Sequence, residues 1–175
     1  MIAAKIASTK TAPKFYELKA QNAAGDEILF DQFKGKTVLI INTATRCGLS
    51  SQFKQLEKLH NTYQAKGLTI LGFPCNQFMS QEPETNETME ASCLFKFGVT
   101  FQMMSKIKVN GPNAHPVFKY LKNELSELFG SRIKWNFTKF LITNEGMPFR
   151  RYGPYTQPNA LERDIKKLVL RKKKS

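Results

Sequence analysis

Cys47 has the most reactive setting in this 175-residue chain. It stands five residues past the apolar run at 37–42 and at the entrance to the next amphipathic stretch, within Thr43-Ala44-Thr45-Arg46-Cys47-Gly48-Leu49-Ser50-Ser51. Amide groups and the positive pole of a helix N-terminus stabilise a thiolate, and Arg46 adds a positive neighbour. The placement alone leaves two readings level: a nucleophilic thiolate, or a buried thiol that packs as a small apolar side chain. Cys75 and Cys93 follow at spacings of 28 and 18. Three cysteines so spread form neither a disulfide framework nor a metal-ligand pattern, and they suit a reducing compartment. Cys75, after Pro74 at the end of a second apolar run, reads as structural. Cys93 lines up with Met89 and Phe97 at four-residue spacing, an apolar helix face that would cover its thiol. His60 and His115 lie 55 residues apart with no cysteine cluster near either, so they suggest neither a zinc site nor an activated nucleophile. His60 is expected at the surface of a helix, and His115, before Pro116, in a structural role at a helix start.

The apolar pattern indicates what must position these residues. Residues 37–42, Thr-Val-Leu-Ile-Ile-Asn, form a near-continuous apolar run of the kind found in a strand buried on both faces. Phe53, Leu56, Leu59 and Tyr63 then mark one face of a helix that Gly67 ends, and residues 68–73 form the next strand. Strand, helix, strand within about forty residues is a right-handed crossover. Thr85 or Asn86 can cap a helix carrying Met89, Cys93 and Phe97, stopped by Gly98. Residues 106–109 read as a short strand. Pro116 opens a helix with Val117, Leu121, Leu125 and Leu128 on one stripe. Residues 140–143 and 149–152, joined through Asn144-Glu145-Gly146, read as an antiparallel hairpin, and Leu161, Ile165, Leu168 and Val169 mark a last helix. The order predicts an α/β chain of thioredoxin-like fold, a central mixed β-sheet flanked by helices. It is expected to be one domain over 1–175, with 1–13 and 171–175 as flexible ends.

Composition narrows the function classes. With 41% hydrophobic residues the chain can bury a core without metal or disulfide staples. The longest clean apolar run, 38–41, is far short of the roughly 20 residues that span a bilayer. Residues 1–13 carry lysines but neither arginine nor a long apolar stretch, which argues against a secretory signal and points to a cytoplasmic location. The formal charge of +13 invites an anionic partner. Basic residues are scattered except near the end, where Arg163, Lys166, Lys167, Arg171, Lys172, Lys173 and Lys174 face one acid, Asp164. The favoured reading is a solvated helix end; a weak contact with an anionic membrane surface or with nucleic acid stays open, and no specific nucleic-acid motif is present.

Three blocks carry a resemblance: Asn42-Thr43-Ala44-Thr45-Arg46-Cys47-Gly48; Gly72-Phe73-Pro74-Cys75-Asn76-Gln77-Phe78 with Gln81-Glu82-Pro83; and Lys134-Trp135-Asn136-Phe137-Thr138-Lys139-Phe140. In order and approximate spacing they resemble the signature blocks of the glutathione peroxidase family, and the similarity runs over residues 15–170. The resemblance implies a tetrad of Cys47, Gln81, Trp135 and Asn136 around the peroxidatic sulfur. Taken singly, Trp135 would read as a core aromatic, Asn136 as a turn residue and Gln81 as a surface amide. It also implies that Cys93 is the resolving cysteine of the bacterial and fungal cysteine-type members, forming a disulfide with Cys47 that thioredoxin reduces, glutathione serving less well. No prosthetic cofactor is implied, only an external thiol reductant. Many animal members carry selenocysteine where this chain has Cys47. The chain departs from the family at Phe101-Gln102-Met103-Met104, where members commonly have Phe-Pro. The short 128–133 segment, where tetrameric members have an insertion, implies a monomer with an open site for lipid hydroperoxides as well as hydrogen peroxide.

The rival reading is a peroxide sensor that passes a disulfide to a partner protein through the same two cysteines. A basic nucleic-acid-binding module is a third, and salt-dependent binding would be its mark.

Overall fold

The structure is a computed structural model and describes residues 14–127 and 130–170. The expected flexible ends, the last four basic residues and Leu128 lie outside the described residues.

Five strands form the central sheet in the order β5-β4-β3-β6-β7. β3 (Thr37–Thr43) pairs parallel with β4 (Leu68–Pro74) and antiparallel with β6 (Lys139–Ile142). β5 (Gln102–Met103) extends β4 in parallel, and β7 (Pro148–Tyr152) pairs antiparallel with β6. A mixed sheet results, as predicted. Every residue of β3 is buried because alternate side chains feed two cores. Leu39 and Ile41 pack with Phe53, Leu56 and Leu59 of α1 (Gln52–Tyr63) and Ile165 and Leu168 of α4 (Glu162–Val169). Val38 and Ile40 pack on the other face with Val117, Phe118 and Leu121 of α3 (Pro116–Glu124). Cys93 lies on α2 (Asn86–Phe97), which starts after Thr85 and stops at Gly98 in the left-handed conformation, φ 70°. No helix among the described residues is long and apolar enough to cross a membrane.

Three expectations need correction. Residues 106–109 form no strand: the Val109 N–H bonds to the Gln77 side-chain oxygen at 2.7 Å, and the edge strand sits earlier, at β5. The α3 helix ends at Glu124 instead of running to Leu128, and His115 caps its start, Nδ1 accepting the Val117 N–H at 3.2 Å. His60 is half-buried, its ring edge-on to Phe101, where a surface position was expected. A short hairpin, β1 (Lys19–Gln21) with β2 (Glu27–Leu29), was not anticipated.

Lys139 is fully buried in β6 and its ammonium donates to the carbonyls of Pro154 at 3.1 Å and Thr156 at 2.6 Å, tying the segment after β7 to the sheet. Burial pushes its pKa down to about 7, against roughly 10.4 in an unfolded chain. A depressed folded value gives a contribution that is fully present above the unfolded pKa and lost as pH falls through the folded one. Wild type should therefore gain stability relative to Lys139→Met between about pH 7 and 10. Urea midpoints of both proteins at pH 6.5 and 9.5 check this; an equal difference at the two pH values would reject it.

Candidate active site

Cys47 occupies the turn between β3 and α1 and is only 3% exposed. Regular helix begins at Gln52, so the thiol lies one turn ahead of it. The N–H groups of Ser50 and Phe53 bond back to the carbonyls of Cys47 and Ser50, carrying the helical winding toward the cysteine. The Leu49 N–H points at Sγ from 3.4 Å.

Two distant loops converge on this turn. After β4 the chain folds back so that the Gln81 carbonyl accepts the Arg46 N–H at 3.0 Å. Gln81 closes a tight turn onto the Phe78 carbonyl, and the two central residues, Met79 and Ser80, both stand at φ 51°. Few side chains other than glycine adopt that conformation, so the turn holds backbone strain next to the site. The second loop, 134–138, precedes β6 and is gripped by Asn42 near the end of β3. Asn42 Oδ1 accepts the Thr138 N–H at 3.0 Å, its Nδ2 donates to the Trp135 carbonyl at 3.2 Å, and its own carbonyl accepts the Phe137 N–H at 2.7 Å. Phe137 stands at φ 62°, which turns the chain so that Asn136 meets Gln81. Asn136 Nδ2 donates to Gln81 Oε1 at 3.1 Å.

The structure thus brings Gln81 and, through it, Asn136 to the Cys47 turn, and Trp135 packs against the apolar cluster that includes Cys47. Asn136 is fully buried, and Trp135 is half-buried with its ring 5.6 Å from that of Phe78. Among the described residues, neither the Gln81 amide nitrogen nor the Trp135 indole nitrogen hydrogen-bonds within the protein; the Gln81 amide bonds only through its oxygen. Both donors are thus unpaired within the described residues, and neither has to titrate in order to donate.

Cys93 enters from α2. Its side chain is fully buried in the hydrophobic cluster that includes Cys47 and Phe53, with Met89 Sδ 3.9 Å from its sulfur. Burial, reinforced by the charges of Glu82 and Glu84, pushes this thiol up to about 12. It is a protonated, sheltered thiol while α2 is in place. Cys75 is buried too, its thiol facing Gln77 Oε1 at 3.7 Å, and burial raises its pKa; it packs as a structural residue. All three cysteines are free. No cluster of His, Cys, Asp and Glu among the described residues could hold a metal ion.

In the sequence Asn42, Thr45 and Glu82 stand inside the motif blocks without a role of their own. The signal for Asn42 and Glu82 is a polar side chain among residues that bury: both are 0% exposed.

The glutathione peroxidase family model matches residues 15–122. The chain is 46% identical over 155 residues to a glutathione peroxidase of Lactococcus lactis, covering 89% of this chain and 99% of that one. It is 47% identical over 156 residues to glutathione peroxidase-like peroxiredoxin 2 of Saccharomyces cerevisiae, covering 89% and 96%. Among solved structures, Trgpx in apo form superposes with a TM-score of 0.76 at 38% identity, covering 92% of this chain and 98% of that one. T. cruzi GPX1 gives 0.74 at 35%, covering 89% and 95%.

Proposed function

The chain belongs to the glutathione peroxidase family and is an enzyme of the peroxidase type, and we propose that it reduces hydroperoxides with Cys47 as attacking thiolate and Cys93 as resolving thiol. The observation that carries the reading is the pairing of the Asn136 and Gln81 amides beside the Cys47 turn. In the first step the thiolate attacks one oxygen of the O–O bond. The sulfur keeps that oxygen as a sulfenic acid, and the other oxygen departs with the bonding pair and takes a proton to become water or an alcohol. Negative charge grows on the leaving oxygen, where the Gln81, Trp135 and Asn136 donors are worth most. In the second step the Cys93 thiol condenses with the sulfenic acid, forming a disulfide and releasing water. A thioredoxin-like dithiol then reduces that disulfide, with glutathione the poorer donor. Hydrogen peroxide and organic or lipid hydroperoxides are the substrates. No prosthetic group enters, the protein acts as a monomer, and the free thiols suit the reducing cytoplasm.

A donor comparison tests the cycle. Purified protein with hydrogen peroxide should drive NADPH consumption faster through thioredoxin and its reductase than through glutathione and its reductase. Stable mixed disulfides with a client protein and negligible turnover with either donor would favour the relay instead. Gln81→Ala should slow Cys47 oxidation by about 100-fold, the usual scale for loss of one preorganised donor, with little change in the urea midpoint. An unchanged second-order rate with peroxide would remove Gln81 from the site.

A further inference from the structure

A buried carboxylate sits between the two segments that form the site, and the reaction just described leaves it unused. Glu82 is 0% exposed, and a charge in that position is costly unless its oxygens are satisfied. They are satisfied chiefly by one residue. Oε2 accepts the Thr45 N–H at 2.9 Å and Oε1 accepts the Thr45 hydroxyl, also at 2.9 Å, with the Glu84 N–H adding a longer bond of 3.3 Å. The Glu82 backbone is held in turn, its N–H donating to Asn76 Oδ1 at 2.9 Å and its carbonyl accepting the Lys106 ammonium at 2.9 Å.

Thr45 lies two residues before Cys47, and Gln81 is the residue before Glu82. The neighbouring bond from the Arg46 N–H to the Gln81 carbonyl runs alongside. Two successive residues of the cysteine turn are thus bonded to two successive residues of the glutamine loop, and two of those three bonds end on the Glu82 carboxylate.

We propose that Glu82 is a positioning residue for peroxide reduction: through Thr45 its carboxylate fixes the Cys47 turn in register with Gln81, so that the amide meets the leaving oxygen. The inference rests on the reading of Cys47 as attacking thiolate and Gln81 as its donor. It differs from a general packing role in what it affects. Loss of the clamp should spoil the alignment of two side chains that peroxide needs together, while leaving the thiol accessible to reagents that need only sulfur.

The test uses full-length protein carrying Glu82→Gln, Thr45→Val, Thr45→Ser, or the first two combined. Cys47 oxidation by hydrogen peroxide in a single turnover is followed by intact mass after rapid quenching, Cys47 alkylation by iodoacetamide is measured in parallel, and urea midpoints confirm folding. Glu82→Gln and Thr45→Val should each lower the second-order rate with peroxide about tenfold or more, since small misplacements at a reacting centre are costly. Alkylation should stay within about twofold, and Thr45→Ser, which keeps both donors, should oxidise near the wild-type rate. The combined variant should be no slower than the slower single one, because the two changes break the same contact. Wild-type rates in folded Thr45→Val overturn the inference even if Glu82→Gln fails to fold. Parallel loss of alkylation overturns it as well, because the sulfur itself would then have changed. Wild-type protein that does not oxidise Cys47 at all would instead overturn the underlying assignment.

Discussion

Cys47→Ser protein should reduce no measurable peroxide with thioredoxin, glutathione or any other donor, a loss of about a thousandfold or more. The substitution exchanges one atom in a buried turn, and the Leu49 N–H, the Gln81–Asn136 pair and Trp135 all stay in place. What disappears is the nucleophile. An alcohol hydroxyl is a far weaker acid than a thiol, so at neutral pH the attacking anion becomes rarer by many orders of magnitude. Neighbouring hydrogen bonds cannot restore that fraction. Steady-state NADPH assays with both donors, alongside the urea midpoint of the variant, separate lost chemistry from lost folding. A folded serine variant that keeps a tenth of the wild-type turnover would remove Cys47 from the centre of the reaction.

The elements with a strong local signal are legible in the sequence. The unbroken apolar run of β3 is buried on both faces, Phe53, Leu56, Leu59 and Tyr63 bury on α1, and Gly67 and Gly98 end their segments at positive φ. The elements that escaped have long-range causes. A three-residue strand such as β1 has too few alternations to stand out, and it forms because β2 lies opposite. Residues 106–109 look like a strand in isolation, yet Gln77, some thirty residues earlier, supplies the acceptor for two N–H groups that a neighbouring strand would otherwise take. The site divides in the same way. Composition and periodicity singled out Cys47 as a candidate, while Gln81, Trp135 and Asn136 stood out only through a family resemblance, because each taken alone is an ordinary amide or aromatic. The loops that carry them are tied by Asn42 reaching across to 135–138 and by Glu82 reaching back to Thr45, contacts between residues 37 to 96 positions apart. No local pattern encodes such contacts, although a buried asparagine closing an apolar strand was a visible hint.

The second large effect is expected at Cys93. Cys93→Ser protein should reduce one equivalent of peroxide at close to the wild-type rate and then stop, losing turnover with thioredoxin. The proposed order of steps dictates this, since in it Cys47 alone performs the attack and the second thiol enters only once a sulfenic acid exists. The closed state explains why Cys93 must wait. Its thiol is fully buried with its pKa near 12, and a disulfide requires Cα atoms within roughly 4.4–6.8 Å in suitable orientation. Where the start lies further apart than that, α2 has to open. The helix fully buries only Met89 and Cys93, Leu94 is 55% and Phe95 92% exposed, and Phe97 ties it to α1 by stacking on Phe53 at 4.7 Å. A large apolar side chain contributes about 1.5–3 kcal/mol when fully buried, so α1, with Phe53, Leu56, Leu59 and Tyr63 inside, is anchored far more firmly. Oxidised wild type should therefore show a Cys47–Cys93 disulfide by peptide mapping and faster hydrogen exchange across 86–98, with α1 unchanged. In the serine variant the sulfenic acid persists, and excess peroxide should carry it to the sulfinic form, a mass gain of two oxygens on the Cys47 peptide. Full thioredoxin-dependent turnover by Cys93→Ser, or a disulfide mapped to Cys75, would show that the resolving thiol lies elsewhere and that α2 has no need to move.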